Sequence, residues 1–274
     1  MIYDARMFRF VMVLVLVGLP GLAGAADPPA LARARVLYNA GNYDAAIEAA
    51  ASARTDPKAA DAAALVIARA HLERFRSAPA GDPNGDLPAA RAALTGIRTA
   101  ALNARDQLDL LIGLGQTLYF GDSFGPAADI FDSALGRASM LNAAERARLI
   151  DWWATALDRQ AQSQPADRRL PIFTRIVDRM QQELRDDPGS ANANYWLVVG
   201  IRGVGDLDRA WDAAIAGWVR ATLGSDASGL RTKLDRVVVD ALIPERARVR
   251  PVREQQDAAA AMRTEWEKIK SEWR

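Results

Sequence analysis

Residues 111–139 read LIGLGQTLYFGDSFGPAADIFDSALGRAS, and this stretch decides the fold class. On both sides of the pair Gly121-Asp122, apolar residues recur at spacings of three and four, which is the periodicity of one helical face. A glycine followed by an aspartate is a common break between helices. The stretch therefore predicts two amphipathic helices joined by a tight turn.

The chain beyond residue 26 continues the same helical pattern. Alanine is abundant, and the β-branched run at residues 236–239 is short and lies inside a helical pattern. Helix-breaking residues divide the chain into segments of similar length, at Gly41-Asn42, Asp56-Pro57, residues 77–88, Gly121-Asp122, Gln164-Pro165, residues 187–189, residues 203–206, Gly224-Ser225, Ile243-Pro244 and Pro251. These breaks predict an all-α protein of roughly ten or eleven helices.

Eight positions within residues 111–139 carry the kinds of residue that a helical repeat has at its signature sites. They are Leu111, Leu114, Gly115 and Leu118 in the first helix, and Phe124, Ala127, Phe131 and Ala134 in the second. On these residues the segment resembles a tetratricopeptide repeat (TPR), in which two antiparallel helices form each repeat. The resemblance implies that Gly115, Ala127 and Ala134 lie where helices cross closely.

Other segments resemble the same repeat less closely. Residues 34–57 match at Ala34, Leu37, Tyr43, Ala46 and Ala53. Residues 195–217 form a shortened copy, whereas residues 60–104 and 150–188 are included only by continuity. Because one helix pair cannot bury its apolar face alone, such pairs stack. The resemblance covers about residues 30–221 and implies a TPR-like right-handed α-solenoid of about five helix pairs with C-terminal capping helices.

The resemblance also implies a concave face that is lined by the first helix of each pair and holds an extended or helical peptide. Its inward positions in this sequence are Arg35, Tyr38, Asp109, Ile112, Gln116, Tyr119, Arg148, Asp151, Thr155 and Asp158. Trp152 is a further candidate for a partner contact, because adjacent helix residues diverge by about 100° and Trp152 and Trp153 cannot both face inward. The alternative is that these side chains are ordinary solvated residues.

Residues 1–26 have the pattern of a secretory signal. Arg6 and Arg9 precede an apolar run, and the small residues around Ala25 and Ala26 offer cleavage sites. The run is about ten residues long, half of the roughly 20 that span a bilayer. We therefore predict a cleaved signal peptide and a periplasmic or secreted protein, with an uncleaved membrane anchor as the alternative.

Composition and charge exclude several classes of function. The chain has 35 Lys and Arg against 34 Asp and Glu, and removal of residues 1–26 leaves 33 of each. Nucleic-acid binding needs a basic excess or a basic face, so a nucleic-acid partner is not expected. The chain has no cysteine and one histidine, His71, which excludes thiol chemistry and most zinc sites. We expect no metal and no cofactor, and His71 is predicted to be a packed residue.

The C-terminal segment differs from the repeats. After a basic linker at residues 245–250, an apolar stripe recurs at spacings of 3, 4, 3 and 4 through Ala259, Met262, Trp266, Ile269 and Trp273. Two heptads are shorter than a stable coiled coil requires. One interpretation is a capping helix whose stripe covers the last repeat. The other is a detachable docking helix that binds a partner or a second copy through Met262, Trp266, Ile269 and Trp273.

Two smaller patterns have structural explanations. Trp211 and Trp218 are seven residues apart on one helical face, which predicts core packing. Residues 202–206 contain two glycines, but a phosphate-binding loop would follow a strand and none is predicted here. We interpret them as a helix stop followed by Asp206 as the N-cap of the next helix.

These observations predict three regions: a signal peptide at residues 1–26, a TPR-like repeat domain at 27–224, and capping or docking helices at 225–274. The predicted function is a non-catalytic scaffold for protein interaction or assembly in the cell envelope. One alternative is an enzyme that acts on envelope glycans through helix-borne carboxylates. Another is a small-ligand binding module with an aromatic groove near Trp152 and Tyr119.

Overall fold

The fold is all-α. The computed structural model describes residues 27–78 and 81–273, so the predicted signal peptide lies outside the described residues. The described residues contain no strand. The helices are α1 (Pro29–Asn39), α2 (Tyr43–Ala53), α3 (Ala60–Ser77), α4 (Asp86–Leu94), α5 (Ala104–Phe120), α6 (Phe124–Leu135), α7 (Ala143–Ser163), α8 (Ala166–Asp186), α9 (Ala191–Val204), α10 (Leu207–Arg220), α11 (Ala227–Val237), α12 (Ile243–Arg248) and α13 (Gln255–Glu272).

The chain divides into two compact units, Met1–Gly121 and Asp122–Arg274. The division falls at the predicted break Gly121-Asp122, between α5 and α6. Asp122 has a positive φ of 57°, a conformation that aspartate tolerates better than most residues and that ends a helical path. The segment that best fits the repeat signature therefore has its first helix in the first unit and its second helix in the second. The boundary expected at residue 224 lies inside the second unit.

In the first unit, helices pack against their neighbours in the chain. The helix α1 packs on α2, α2 on α3 and α3 on α4. In addition, α1 contacts α3, and α3 contacts α5. The core between α1, α2 and α3 contains Ala34, Ala50 and Ala63, which have no exposed surface. Because alanine has the smallest apolar side chain, these helices can approach closely, and Leu31 and Val66 fill the remaining space. This is the packing of a helical-repeat protein.

The second unit shows the same pattern. Each helix from α6 to α10 packs on the next one in the chain. In addition, α7 contacts α9, and α9 contacts α11. The crossing of α8 and α9 is especially close. A Cβ atom at Gly203 would lie 2.3 Å from the ring of Phe173, and one at Gly200 would lie 3.0 Å from Val177. A side chain at Gly203 would therefore overlap the Phe173 ring, and one at Gly200 would require Val177 to shift by a few tenths of an ångström.

The turns and the end of the chain also follow local sequence rules. Gly205 ends α9 with a φ of 94°, and Asp206 caps α10 by accepting a hydrogen bond from the Arg209 N–H at 3.0 Å, as predicted. The run at residues 236–239 is helical, again as predicted. It enters a π-helical segment, Val238–Leu242, which leads into α12. This π-helical segment ends two residues before Pro244. Proline has no backbone N–H, so the regular α-helical hydrogen-bond pattern is interrupted here.

Across residues 27–78 and 81–273, no helix is both long enough and apolar enough to cross a bilayer.

Candidate functional site

The first helices of the first unit share a face on which three of the predicted groove residues meet. Arg35 in α1 makes a two-pronged contact with Asp106 in α5, with nitrogen–oxygen distances of 2.9 and 2.7 Å. Arg69 in α3 donates to Asp109 in α5 at 2.6 Å, and its guanidinium lies 4.6 Å from the centre of the Tyr38 ring. We call these five residues the ion-pair ladder. It joins α1, α3 and α5.

The ladder is mostly shielded from water. Asp106 and Asp109 are buried, and the other three side chains are half-buried. Burial raises the pKa of the Tyr38 hydroxyl, so the ring is neutral over a wide pH range. Each charge of the ladder has an opposite charge beside it, which offsets the cost of burial, and the contacts link α1, α3 and α5. Its charged groups are engaged within the protein.

The sequence analysis identified Arg35, Tyr38 and Asp109 but missed Arg69 and Asp106. One signal was available, because Asp106 and Asp109 are three residues apart and so lie on one face of α5. Farther along α5, the predicted residues Ile112, Gln116 and Tyr119 are half-buried.

The first helices of the second unit share a corresponding face, which runs from α7 through α9 to α11. Asp151 in α7 accepts a hydrogen bond from the indole N–H of Trp196 in α9 at 2.8 Å. Lys233 in α11 donates to Asn192 in α9 at 3.2 Å, and its ammonium lies 5.6 Å from the ring centre of Tyr195. These contacts tie the three helices together through polar side chains.

The other groove residues predicted in α7 have different surroundings. Arg148 is exposed, Thr155 is half-buried, and burial raises the pKa of the Asp158 carboxyl. Trp153 is buried while Trp152 is half-buried, with its ring centre 5.9 Å from that of Phe131 in α6. The predicted divergence of the two indoles is confirmed.

The C-terminal helix packs its central tryptophan into the second unit. Trp266 is completely buried, with its ring centre 5.3 Å from that of Trp218 and 6.0 Å from that of Trp211, both in α10. Its indole N–H donates to Asp235 at 2.9 Å. Trp211 and Trp218 are buried, which confirms their predicted core packing. We call Trp211, Trp218 and Trp266 the tryptophan cluster.

The rest of the predicted docking stripe is less buried. Met262 and Ile269 are half-buried, and Trp273 is 49% exposed. The backbone carbonyl of Trp273 accepts hydrogen bonds from the Trp218 indole at 3.2 Å and from Arg231 at 2.6 Å. These contacts, with the burial of Trp266, give α13 the position that a capping helix requires.

An open cleft of about 920 Å³ lies between α13, the start of α10 and the end of α12. Its lining residues are Gly205, Asp206, Leu207, Asp208, Arg246, Val249, Arg250, Glu254, Asp257, Ala258, Ala261, Met262 and Glu265. We call it the C-terminal cleft. Two of its carboxylates have structural roles, because Asp206 caps α10 and Asp208 accepts from Arg246 at 2.7 Å. The sequence analysis did not anticipate this cleft.

The one histidine lies in a small polar cluster of the first unit. The Nδ1 atom of His71 is 2.7 Å from the buried carboxylate of Asp86, which Arg74 also approaches at 3.3 Å. This pairing explains why a histidine is tolerated in the packed helix α3, and it agrees with the predicted packed role. Within the described ranges, no group of three or more His, Cys, Asp or Glu side chains is arranged to hold a metal ion.

Comparisons of the chain with family models, with curated proteins and with solved structures give no significant match.

Proposed function

We propose that this protein is an exported, TPR-like scaffold that binds another protein of the cell envelope and has no catalytic role of its own. The observation that carries the proposal is the repeated contact between alternate helices. In one unit α1 contacts α3 and α3 contacts α5, and in the other α7 contacts α9 and α9 contacts α11. Each unit thus has a continuous first-helix face, the surface that TPR proteins offer to a peptide.

The chemistry of the second unit's first-helix face suits peptide recognition. In the second unit, exposed Arg148 and half-buried Thr155 lie on the same helix as Asp151, and half-buried Tyr195 lies on the neighbouring helix. Aromatic rings and polar groups held in fixed positions lose little conformational entropy on binding. The hydrogen bond from Trp196 to Asp151 already links α9 to α7 on this face before a partner arrives.

The proposed location rests on residues 1–26. Their charged start, apolar run and small-residue end favour export through a cleaved signal peptide. Cell fractionation of the full chain tests this step. We expect the mature protein in the periplasm or the medium, with its N-terminus at Ala26 or Asp27 by mass spectrometry, and a chain starting at Asp27 should stay in the cytoplasm. An uncleaved full chain in the membrane fraction would contradict cleavage.

Site-specific photocrosslinking in living cells tests the scaffold function. A photoreactive amino acid would replace Gln116, Arg148 or Thr155 on the first-helix faces. Matched controls would carry it at the exposed residues Glu48 in α2 and Asp178 in α8, which belong to the second helices. We expect the first three positions to capture a common protein of one mass and the controls to capture none of it. Equal capture from both sets, or no adduct from any first-helix position, would refute the proposed binding face.

A further inference from the structure

The segment between α12 and α13 presents apolar and basic side chains to solvent. Val249 is 73% exposed and Val252 is 85% exposed, and Arg248, Arg250 and Arg253 are exposed around them. We call residues 248–253 the basic loop. The two valines are three residues apart in the chain, and arginines flank both of them, so this short segment combines apolar and cationic side chains.

The basic loop is held in place by the protein. The side-chain amide of Gln255 donates to the backbone carbonyls of Arg248 at 3.4 Å and Arg250 at 3.1 Å. Pro251, which follows Arg250, further restricts the backbone of the loop. The valines are therefore presented by a fixed loop, and binding there would require little additional ordering.

The C-terminal cleft beside the loop has the opposite charge. Its lining contains five carboxylates and two guanidinium groups, a net charge of −3. Three of the carboxylates have contacts within the molecule, because Asp206 caps α10, Asp208 pairs with Arg246, and Glu254 lies 3.3 Å from Arg253 of the basic loop. Of the two arginines, Arg246 is occupied by its ion pair with Asp208 and lies 4.8 Å from the Trp211 ring centre. Asp257 and Glu265 are exposed along α13, about two helical turns apart, or roughly 12 Å. Between them, Ala258, Ala261 and Met262 form an apolar floor.

The cleft thus fits a short segment that carries both positive charge and small apolar side chains. The basic loop is such a segment, with three arginines and two valines. The loop cannot fill the cleft of its own molecule, because Val249 and Arg250 already line the cleft and Gln255 holds the backbone carbonyl of Arg250. The same loop on a second molecule has no such restriction.

We propose that two copies of this chain associate through their C-terminal regions, with the basic loop of each copy seated in the C-terminal cleft of the other. Loop and cleft are adjacent on each molecule, so one two-fold axis beside them forms both contacts at once. The chain beyond residue 26 carries 33 charges of each sign, so no net repulsion opposes the association. This inference goes beyond the proposed scaffold function and is tested on purified protein without any partner.

Charge-swap variants provide the test, with sedimentation velocity of the full chain over about a hundredfold range of concentration. The acid-reversed variant carries Asp257→Lys and Glu265→Lys, and the base-reversed variant carries Arg248→Glu and Arg253→Glu. We expect the wild type to dimerise and each variant alone to dimerise at least about a hundredfold more weakly. A mixture of the two variants should recover the dimer, because both loop–cleft contacts are then attractive again. A control with Asp178→Lys and Asp186→Lys, two exposed aspartates of α8, should dimerise like the wild type.

The recovery in the mixture separates lost contacts from lost folding, since unfolded variants cannot restore each other. Circular dichroism of each variant provides an independent check on helix content. A wild type that stays monomeric over the whole range would overturn the proposal, as would variants that dimerise normally or a mixture that stays monomeric. Crosslinking of a partner at the first-helix faces would be unaffected by any of these results, so the two proposals can fail separately.

Discussion

Replacing Trp266 by alanine tests whether α13 is a structural cap. The change removes a completely buried indole that contacts two other tryptophan rings. A buried tryptophan covers roughly 200 Å² of apolar surface, which corresponds to about 5 kcal/mol at about 25 cal/mol per Å². Measured costs of removing such a side chain from a core are about 3–5 kcal/mol. We therefore expect the free energy of unfolding to fall by about 4 kcal/mol.

Two matched variants divide this loss into its parts. Trp266→Phe keeps a ring in the cluster but removes the donor to Asp235, and we expect a loss of about 1–2 kcal/mol. Trp273→Ala removes a half-exposed indole but keeps the backbone carbonyl that accepts from Trp218, and we expect a loss below about 1 kcal/mol.

Urea unfolding followed by far-ultraviolet circular dichroism measures all three variants. The protein concentration is kept below that of any self-association, because a dimer would add concentration-dependent stability. The capping role of α13 would be wrong if Trp266→Ala lost less than about 1 kcal/mol, or no more than Trp273→Ala. In either case the tryptophan cluster would not hold the helix in place.

Three further variants test other features. Burial acts to raise the pKa of Asp235, but hydrogen bonds from neighbouring side chains outweigh it, so the pKa is lowered. A carboxyl whose pKa is lowered by folding stabilises the protein above its unfolded pKa of about 3.9, and this stability is lost as the pH falls. Asp235→Asn removes the titrating group, so the loss of stability between about pH 5 and pH 3, measured by urea unfolding, should be smaller than in the wild type. Gly203→Ala forces a methyl group into the ring of Phe173 and should cost about 1–3 kcal/mol by thermal unfolding, a cost that shrinks when Phe173→Ala is added. Arg35→Ala leaves the buried carboxylate of Asp106 without its main partner and should lower the free energy of unfolding by about 1–3 kcal/mol. The same substitution made in an Asp106→Ala background should have a smaller effect. Equal effects in the two backgrounds would mean that the ladder does not couple α1 to α5.

Much of the fold follows from short-range signals. The break at Gly121-Asp122 depends on residues that disfavour continued helix, and the cap at Asp206 depends on one side chain and its own backbone. The shared face of Trp211 and Trp218 follows from their spacing alone. Each of these features is decided within about one or two turns of helix, which is the range that a sequence pattern can report.

The ion-pair ladder and the C-terminal cleft depend on longer-range contacts. Arg35 and Asp106 are 71 residues apart, and their meeting depends on how α1, α3 and α5 pack. Arg69 directly follows the apolar run at residues 62–68 of α3, and its partner Asp109 lies 40 residues away in the sequence. The cleft is similarly formed by three segments whose side chains carry no joint pattern in the sequence.

The tryptophan cluster has a consequence for how this protein could have evolved. Because Trp266 packs on the tryptophans of α10, a helix pair duplicated between α10 and α13 would separate the rings of the cluster. A duplication earlier in the second unit would keep the three rings together. Homologues with more repeats should therefore have gained them before α10 while retaining a tryptophan in the helix that corresponds to α13.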